Sequence, residues 1–126
     1  MSKAEDSKDK LNIIDSNSPF SVIEAYKTLR ANLQFVCPHE GCKIICVTSS
    51  IAHEGKSSIS VNLAVAISET EQKVLYIDGD MRASRIARDL SLSSKMGLAE
   101  ILAGVKKVAD DGIIQHFGNN TFLDIL

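Results

Sequence analysis

The sequence predicts an α/β fold, a parallel sheet with flanking helices, and three observations lead to it. Residues 44–47 and 74–77 are short, unbroken apolar runs of strand length. A longer segment between them, residues 57–68, carries Ile59, Leu63, Ala66 and Ile67 at helical spacing. The first run passes into that segment through a polar loop ending in Gly55-Lys56-Ser57. Strand, helix, strand within about 35 residues is a βαβ unit, whose crossover is right-handed. Unbroken apolar strands suit a parallel sheet covered on both faces.

Composition agrees with one globular domain. The chain has 126 residues, of which 44% are hydrophobic and 24% charged, with a formal net charge of −2. No dense Lys/Arg tract is present, which argues against nucleic acid as a partner, because binding a phosphate backbone needs clustered cations. No apolar run approaches the ~20 residues that a spanning helix needs. The first ten residues are polar and charged, unlike an export signal, so a cytoplasmic location is expected. Cys37, Cys42 and Cys46 then read as reduced thiols. Cys37, His39 and Cys42 lack the second ligand pair of a structural zinc site and are not assigned to a metal.

In chain order, residues 1–17 are rich in Lys, Asp, Glu and Ser around one apolar patch at 11–14 and read as a flexible polar tail. Residues 18–126 read as the N-terminal part of a larger domain. Pro19 and a Ser21/Glu24 capping box open a helix with Val22, Tyr26, Leu29 and Leu33 on one face, and Pro38 and Gly41 close it. Residues 44–47 and 74–77 are the two buried strands. Leu98, Ile101 and Leu102 before Gly104 predict a short helix with a glycine stop, and residues 121–126 a third strand.

The chemistry concentrates in the loop. Between a buried strand and a helix, the backbone N–H groups of Ser50, Ile51, Ala52, His53, Glu54, Gly55, Lys56, Ser57 and Ser58 are placed to cradle the phosphates of a nucleotide, aided by the positive end of the helix. Gly55 permits close backbone approach, Lys56 reaches the β- and γ-phosphates, and Ser57 offers a hydroxyl to Mg²⁺. Ser50 stands where the strict GxxxxGK[ST] pattern has its first glycine. The architecture expected is thus that of a phosphate-loop NTPase.

Asp78 and Asp80 follow the second strand at the carboxyl edge, where open α/β sheets bind ligands. Asp-Gly-Asp is also good turn chemistry. Beside a phosphate loop, the two acids with Ser57 suit a Mg²⁺–ATP site, and one of them can accept a proton. Arg82 is placed to neutralise phosphate charge.

The strings VTSSIAHEGKSS, VLYIDGDMR and SPFSVIEAYKTLRANLQF resemble the bacterial tyrosine kinases of capsular and exopolysaccharide biosynthesis. In that family the first string is the Walker A loop and the second the Walker A′ motif. The resemblance implies nucleotide contact by Lys56 and Ser57 and metal or catalytic roles for Asp78 and Asp80. It implies ATP-dependent phosphorylation of tyrosines, the kinase's own included, in control of polysaccharide synthesis and export. It also implies a membrane adaptor, usually a chain-length regulator with an activating cytoplasmic segment, which would hold the chain at the inner face of the membrane. The family's E-x-x-R-x-x-R self-assembly motif resembles Glu24, Lys27 and Arg30, with lysine in the middle place. Ala52-His53 stands where the family usually has Pro-Gly, and the Walker B strand and terminal tyrosine cluster are not in this sequence. Two other readings stay open: a partition or division-site ATPase of the ParA/MinD kind, and a nucleotide-binding regulatory module that transfers nothing.

Overall fold

A computed structural model describes residues 10–37, 41–94, 96–118 and 120–126. Among these residues four helices, α1 (Phe20–Val36), α2 (Lys56–Ser68), α3 (Ile86–Asp89) and α4 (Leu98–Leu102), accompany three strands, β1 (Val74–Tyr76), β2 (Gln115–Phe117) and β3 (Asn120–Ile125). The sheet order is β1-β3-β2. β1 runs parallel to β3 with Val74 opposite Leu123, and β2 pairs antiparallel with β3 with His116 opposite Asp124. The sheet is therefore mixed, not purely parallel as the sequence suggested. Its parallel pair is closed by the crossover that carries α3 and α4.

The largest departure lies at residues 44–47. They form no strand, and Ile44 is 94% and Ile45 43% exposed. Strand hydrogen bonds need a neighbour, and among the described residues none lies alongside this run. β1 was likewise read as buried on both faces, yet it pairs on one edge and leaves Leu75 47% exposed. Apolar composition thus located two strands correctly, residues 74–76 and 120–125, and misplaced a third.

Helix α2 is buried on nearly every side: Val61, Leu63, Ala64, Val65 and Ala66 all belong to the core, while Ile59 is 43% exposed. A helix apolar around much of its circumference sits between layers. The sheet takes one side of α2, with Leu123 and Ile125 buried against it, and α1 takes another. α1 starts at Phe20 with Pro19 as its N-cap, and the Ser21/Glu24 capping box does not form. The Pro19 carbonyl accepts the Val22 N–H at 2.9 Å and the Ile23 N–H at 3.2 Å and so opens the helix. Glu24 instead pairs with Lys27 at 2.9 Å, and Arg30 turns inward to donate to the Ala66 carbonyl at 2.5 Å. That bond satisfies a carbonyl in the last turn of α2, which has no partner within the helix.

Part of the segment read as a tail packs on the domain: Leu11 and Ile13 are half-buried and Ile14 is only 8% exposed. The Ile14 N–H donates to Asn62 Oδ1 at 2.8 Å, and Asn62 Nδ2 donates to the Asn12 carbonyl at 2.9 Å. One amide side chain on α2 thereby pairs with an extended backbone as a neighbouring strand would. The Leu11 N–H donates to the buried carboxylate of Asp89 at 3.3 Å, which also faces Arg88 Nε at 2.9 Å. Residues 1–9 and His39 lie outside the described residues. No helix among the described residues is long and apolar enough to cross a membrane.

Candidate functional site

The loop from Thr48 to Gly55 leads directly into α2. Gly55 caps that helix at φ 85°, a left-handed conformation natural to glycine, and its carbonyl accepts the Ile59 N–H at 2.9 Å. Nothing lies within 4 Å of a Cβ built on Gly55, so its conformation, not lack of room, is what asks for glycine here. His53 is also left-handed, at φ 65°. It occupies the place where the family resemblance expected glycine, and the structure gives the reason a glycine fits there. Ser50, Ile51, Ala52, His53 and Glu54 are exposed, while Gly55, Lys56, Ser57 and Ser58 are half-buried at the start of α2.

The second half of the site begins where β1 ends. The ladder with β3 continues past both strands: the Leu126 N–H donates to the Tyr76 carbonyl at 2.8 Å and the Asp78 N–H to the Leu126 carbonyl at 2.9 Å. Asp78 is thus fixed at the carboxyl edge of the sheet. Its carboxylate accepts the Asp80 N–H at 3.0 Å and the Ser84 hydroxyl at 2.6 Å. Asp80 accepts the Ala83 N–H at 3.2 Å. The segment from Asp78 through the turn at residues 81–83 is therefore stapled by its own carboxylates. Arg82 is exposed on that turn.

The turn and the loop meet. Lys56 Nζ lies 3.6 Å from Asp80 Oδ2, with both side chains 35% exposed. An ion pair this open contributes about 0–1 kcal/mol to stability, so it is easily exchanged for other partners. Beneath it, the Tyr76 hydroxyl and Ser60 Oγ are 3.1 Å apart and tie β1 to the second turn of α2. Burial pushes the Tyr76 phenol above its ordinary value, the Ser60 hydrogen bond opposing and the nearby Asp78 charge adding to it.

Asp78 also lines a cavity of about 190 Å³ together with Met81, Ile86, Met96, Ile113 and Ile125. Among the described residues no three His, Cys, Asp or Glu side chains gather as a ready-made metal cage. Sequence reasoning missed Ser84, six residues from Asp78 in no recognisable pattern, and Glu54 as a side chain: its carboxylate accepts the Ser50 N–H at 2.9 Å and the Ile51 N–H at 3.2 Å.

No protein-family profile matches the chain. It is 35% identical over 106 residues to the tyrosine-protein kinase Etk of Escherichia coli strain K12, across 84% of this chain and 14% of that protein. It is 34% identical over 116 residues to the tyrosine-protein kinase YwqD of Bacillus subtilis strain 168, across 91% of this chain and 48% of that one. The solved kinase domain of Escherichia coli Etk superposes with a TM-score of 0.76 at 32% identity, covering all of this chain and 52% of that domain. The chain thus spans from 14% to about half of the length of these relatives. Alike in sequence along most of its length and in fold along all of it, the chain belongs to the bacterial tyrosine-kinase family.

Proposed function

We propose that the chain forms the nucleotide-binding part of an ATP-dependent protein-tyrosine kinase acting in capsular or exopolysaccharide synthesis and export. The observation that carries this reading is the approach of Lys56 to Asp80, which brings a cation at the start of α2 and an acidic segment after β1 into one site. The names of relatives support the same setting, among them a putative tyrosine-protein kinase in the cps region of Klebsiella pneumoniae.

In this reading the backbone N–H groups of residues 50–58 and the N-terminus of α2 bind the phosphates of ATP. Lys56 leaves Asp80 for the β- and γ-phosphates, and Arg82 adds positive charge at the rim. Ser57, Asp78 and Asp80 are the oxygen donors for Mg²⁺, which supplies neutralisation of charge on the phosphates. The cavity beside Asp78, where Met81, Ile86 and Met96 stand together with Ser84, Glu100 and Gln115, is the place in this reading for the ring of an acceptor tyrosine. The phenol oxygen then bonds to the γ-phosphorus, the bond from that phosphorus to the bridging oxygen breaks, ADP leaves, and one of the two carboxylates, Asp78 or Asp80, takes the phenolic proton.

Two partners complete the proposal. One is a membrane adaptor of the chain-length-regulator kind, whose cytoplasmic segment activates the kinase and holds it at the membrane. The other is a second copy of the chain, through Glu24, Lys27 and Arg30. Self-assembly there has a cost, since Glu24 and Lys27 are paired with each other and Arg30 with Ala66.

Calorimetry with Mg²⁺-ATP on this chain and on Lys56→Met tests the site. Binding lost in the variant supports the reading, and equal binding by both refutes the assignment of the loop. Transfer is tested separately, by phosphotyrosine formation in a protein carrying the whole kinase domain.

A further inference from the structure

The phosphate loop is not empty of anions. The Glu54 carboxylate folds back over the loop it belongs to, and one of its oxygens, Oε2, accepts both the Ser50 N–H at 2.9 Å and the Ile51 N–H at 3.2 Å. Two consecutive backbone donors converging on a single anionic oxygen is the arrangement by which such loops hold a phosphate oxygen. The left-handed backbone at His53 turns the chain back on itself between the donors and the acceptor. Nearby, the cation that would meet a phosphate is engaged as well, Lys56 with Asp80 at 3.6 Å.

We propose that Glu54 is an internal stand-in for a phosphate, so that the ligand-free loop rests self-occupied and a nucleotide binds only by displacing this carboxylate. The inference rests on the reading of residues 50–58 as a phosphate loop and adds a regulatory property to it. Glu54 competes twice. It holds donors that the incoming phosphate needs, and it places a negative charge where another must enter. Because the competitor is tethered, its effective concentration is fixed by the loop and cannot be diluted away. Nucleotide affinity is then set partly by how readily Glu54 swings out toward solvent, and any partner that draws this carboxylate away, such as a cationic side chain, tightens nucleotide binding without touching the nucleotide.

The same geometry admits a plainer role, a staple that only shapes the loop, and the two make opposite predictions. If Glu54 is a competitor, removing it improves binding; if it only shapes the site, removing it weakens binding.

The test compares the chain with Glu54→Gln and Glu54→Ala, using Mg²⁺-ATP and inorganic triphosphate as probes in calorimetry, with Lys56→Met as the control. Both Glu54 variants are expected to bind about fivefold more tightly, the size appropriate to an exposed pair of charge-assisted hydrogen bonds. In the ligand-free state the amide protons of Ser50 and Ile51 are expected to move upfield in Glu54→Ala, since each loses a carboxylate acceptor. Binding by the variants where the parent chain binds nothing supports the proposal most strongly. Unchanged or weaker binding in both variants, with Lys56-dependent binding intact, overturns the competitor and leaves the nucleotide site standing. No binding by any of the proteins overturns the nucleotide reading and the proposal with it. Unmoved Ser50 and Ile51 amides overturn the contact itself.

Discussion

Residues 44–47 and strand β3 are both apolar, strand-length runs in the same chain, and they end in opposite states. Leu123 and Ile125 are 1% and 3% exposed, whereas Ile44 is 94% exposed. The difference is not composition. β3 has β1 on one edge and β2 on the other, so both rows of its backbone groups are paired, while residues 44–47 have no strand alongside among the described residues. A third apolar stretch, residues 11–14, gives the intermediate case. It pairs with no strand either, yet it is held because Asn62 supplies a donor and an acceptor from a helix. An apolar run becomes buried where something answers its backbone.

The comparison breaks most readily at its strongest member. Leu123→Ala removes a fully enclosed side chain from the central strand and is expected to cost about 3 kcal/mol, from lost transfer energy and the cavity left behind. Ile44→Ala is expected to change stability by less than about 0.5 kcal/mol, as exposed substitutions do. Urea denaturation of the two variants measures the contrast. Similar losses at both positions would mean that residues 44–47 are packed in solution and that exposure does not separate the runs.

Asn62→Ala addresses the intermediate case. It strands the Ile14 N–H in a buried setting and deletes the bond to the Asn12 carbonyl, for an expected cost of about 2 kcal/mol. The Ile14 amide should also exchange with solvent much faster in the variant. A variant as stable as the parent, with Ile14 still protected, would show that apolar contact alone docks the segment and that the pairing by Asn62 is incidental.

Strand β1 carries the comparison within itself, for Leu75 faces outward while Tyr76 turns toward α2 and Ser60. The Tyr76 phenol titrates above its ordinary value of 10.0, so the folded state holds this proton more tightly than the unfolded chain does. The sign follows: the contribution is complete below pH 10 and is lost as pH rises through the folded value. Denaturation midpoints followed across the alkaline range should fall for the parent chain, and fall less for Tyr76→Phe. Parallel declines would place the Tyr76 hydroxyl in solvent.

Much of this was legible beforehand because it is local. Helix α2, the apolar run at 74–76, the third strand and the glycine stop after α4, where Gly104 takes φ 71°, all follow from spacing and residue type. The sequence also predicted that the loop and the acidic turn lie near each other, and Lys56 and Asp80 do meet, although the first strand of the βαβ unit from which that was argued does not form. What failed depends on partners distant in sequence. Asn62 is 48 residues from Ile14, and Arg30 is 36 from Ala66. Neither pair leaves a periodic trace. Strand β2 is three residues, Gln115-His116-Phe117, and only the Gly118-Asn119 dipeptide after it signals a hairpin. Helix α3, at four residues, is too short for any periodicity to register.

The smallest expected effect concerns the one loop residue that both sequence and structure mark as unusual. His53 holds φ 65° with a Cβ, a conformation that costs a non-glycine residue about 1–2 kcal/mol. Glycine removes that strain but gains freedom in the unfolded chain, which returns about 0.4–1 kcal/mol of the benefit. The two terms leave His53→Gly about 0.5 kcal/mol more stable than the parent by thermal or urea denaturation. A loss of stability instead would mean that the histidine ring contributes contacts of its own, and the loop would then be shaped by the side chain at position 53 and not by its backbone angle alone.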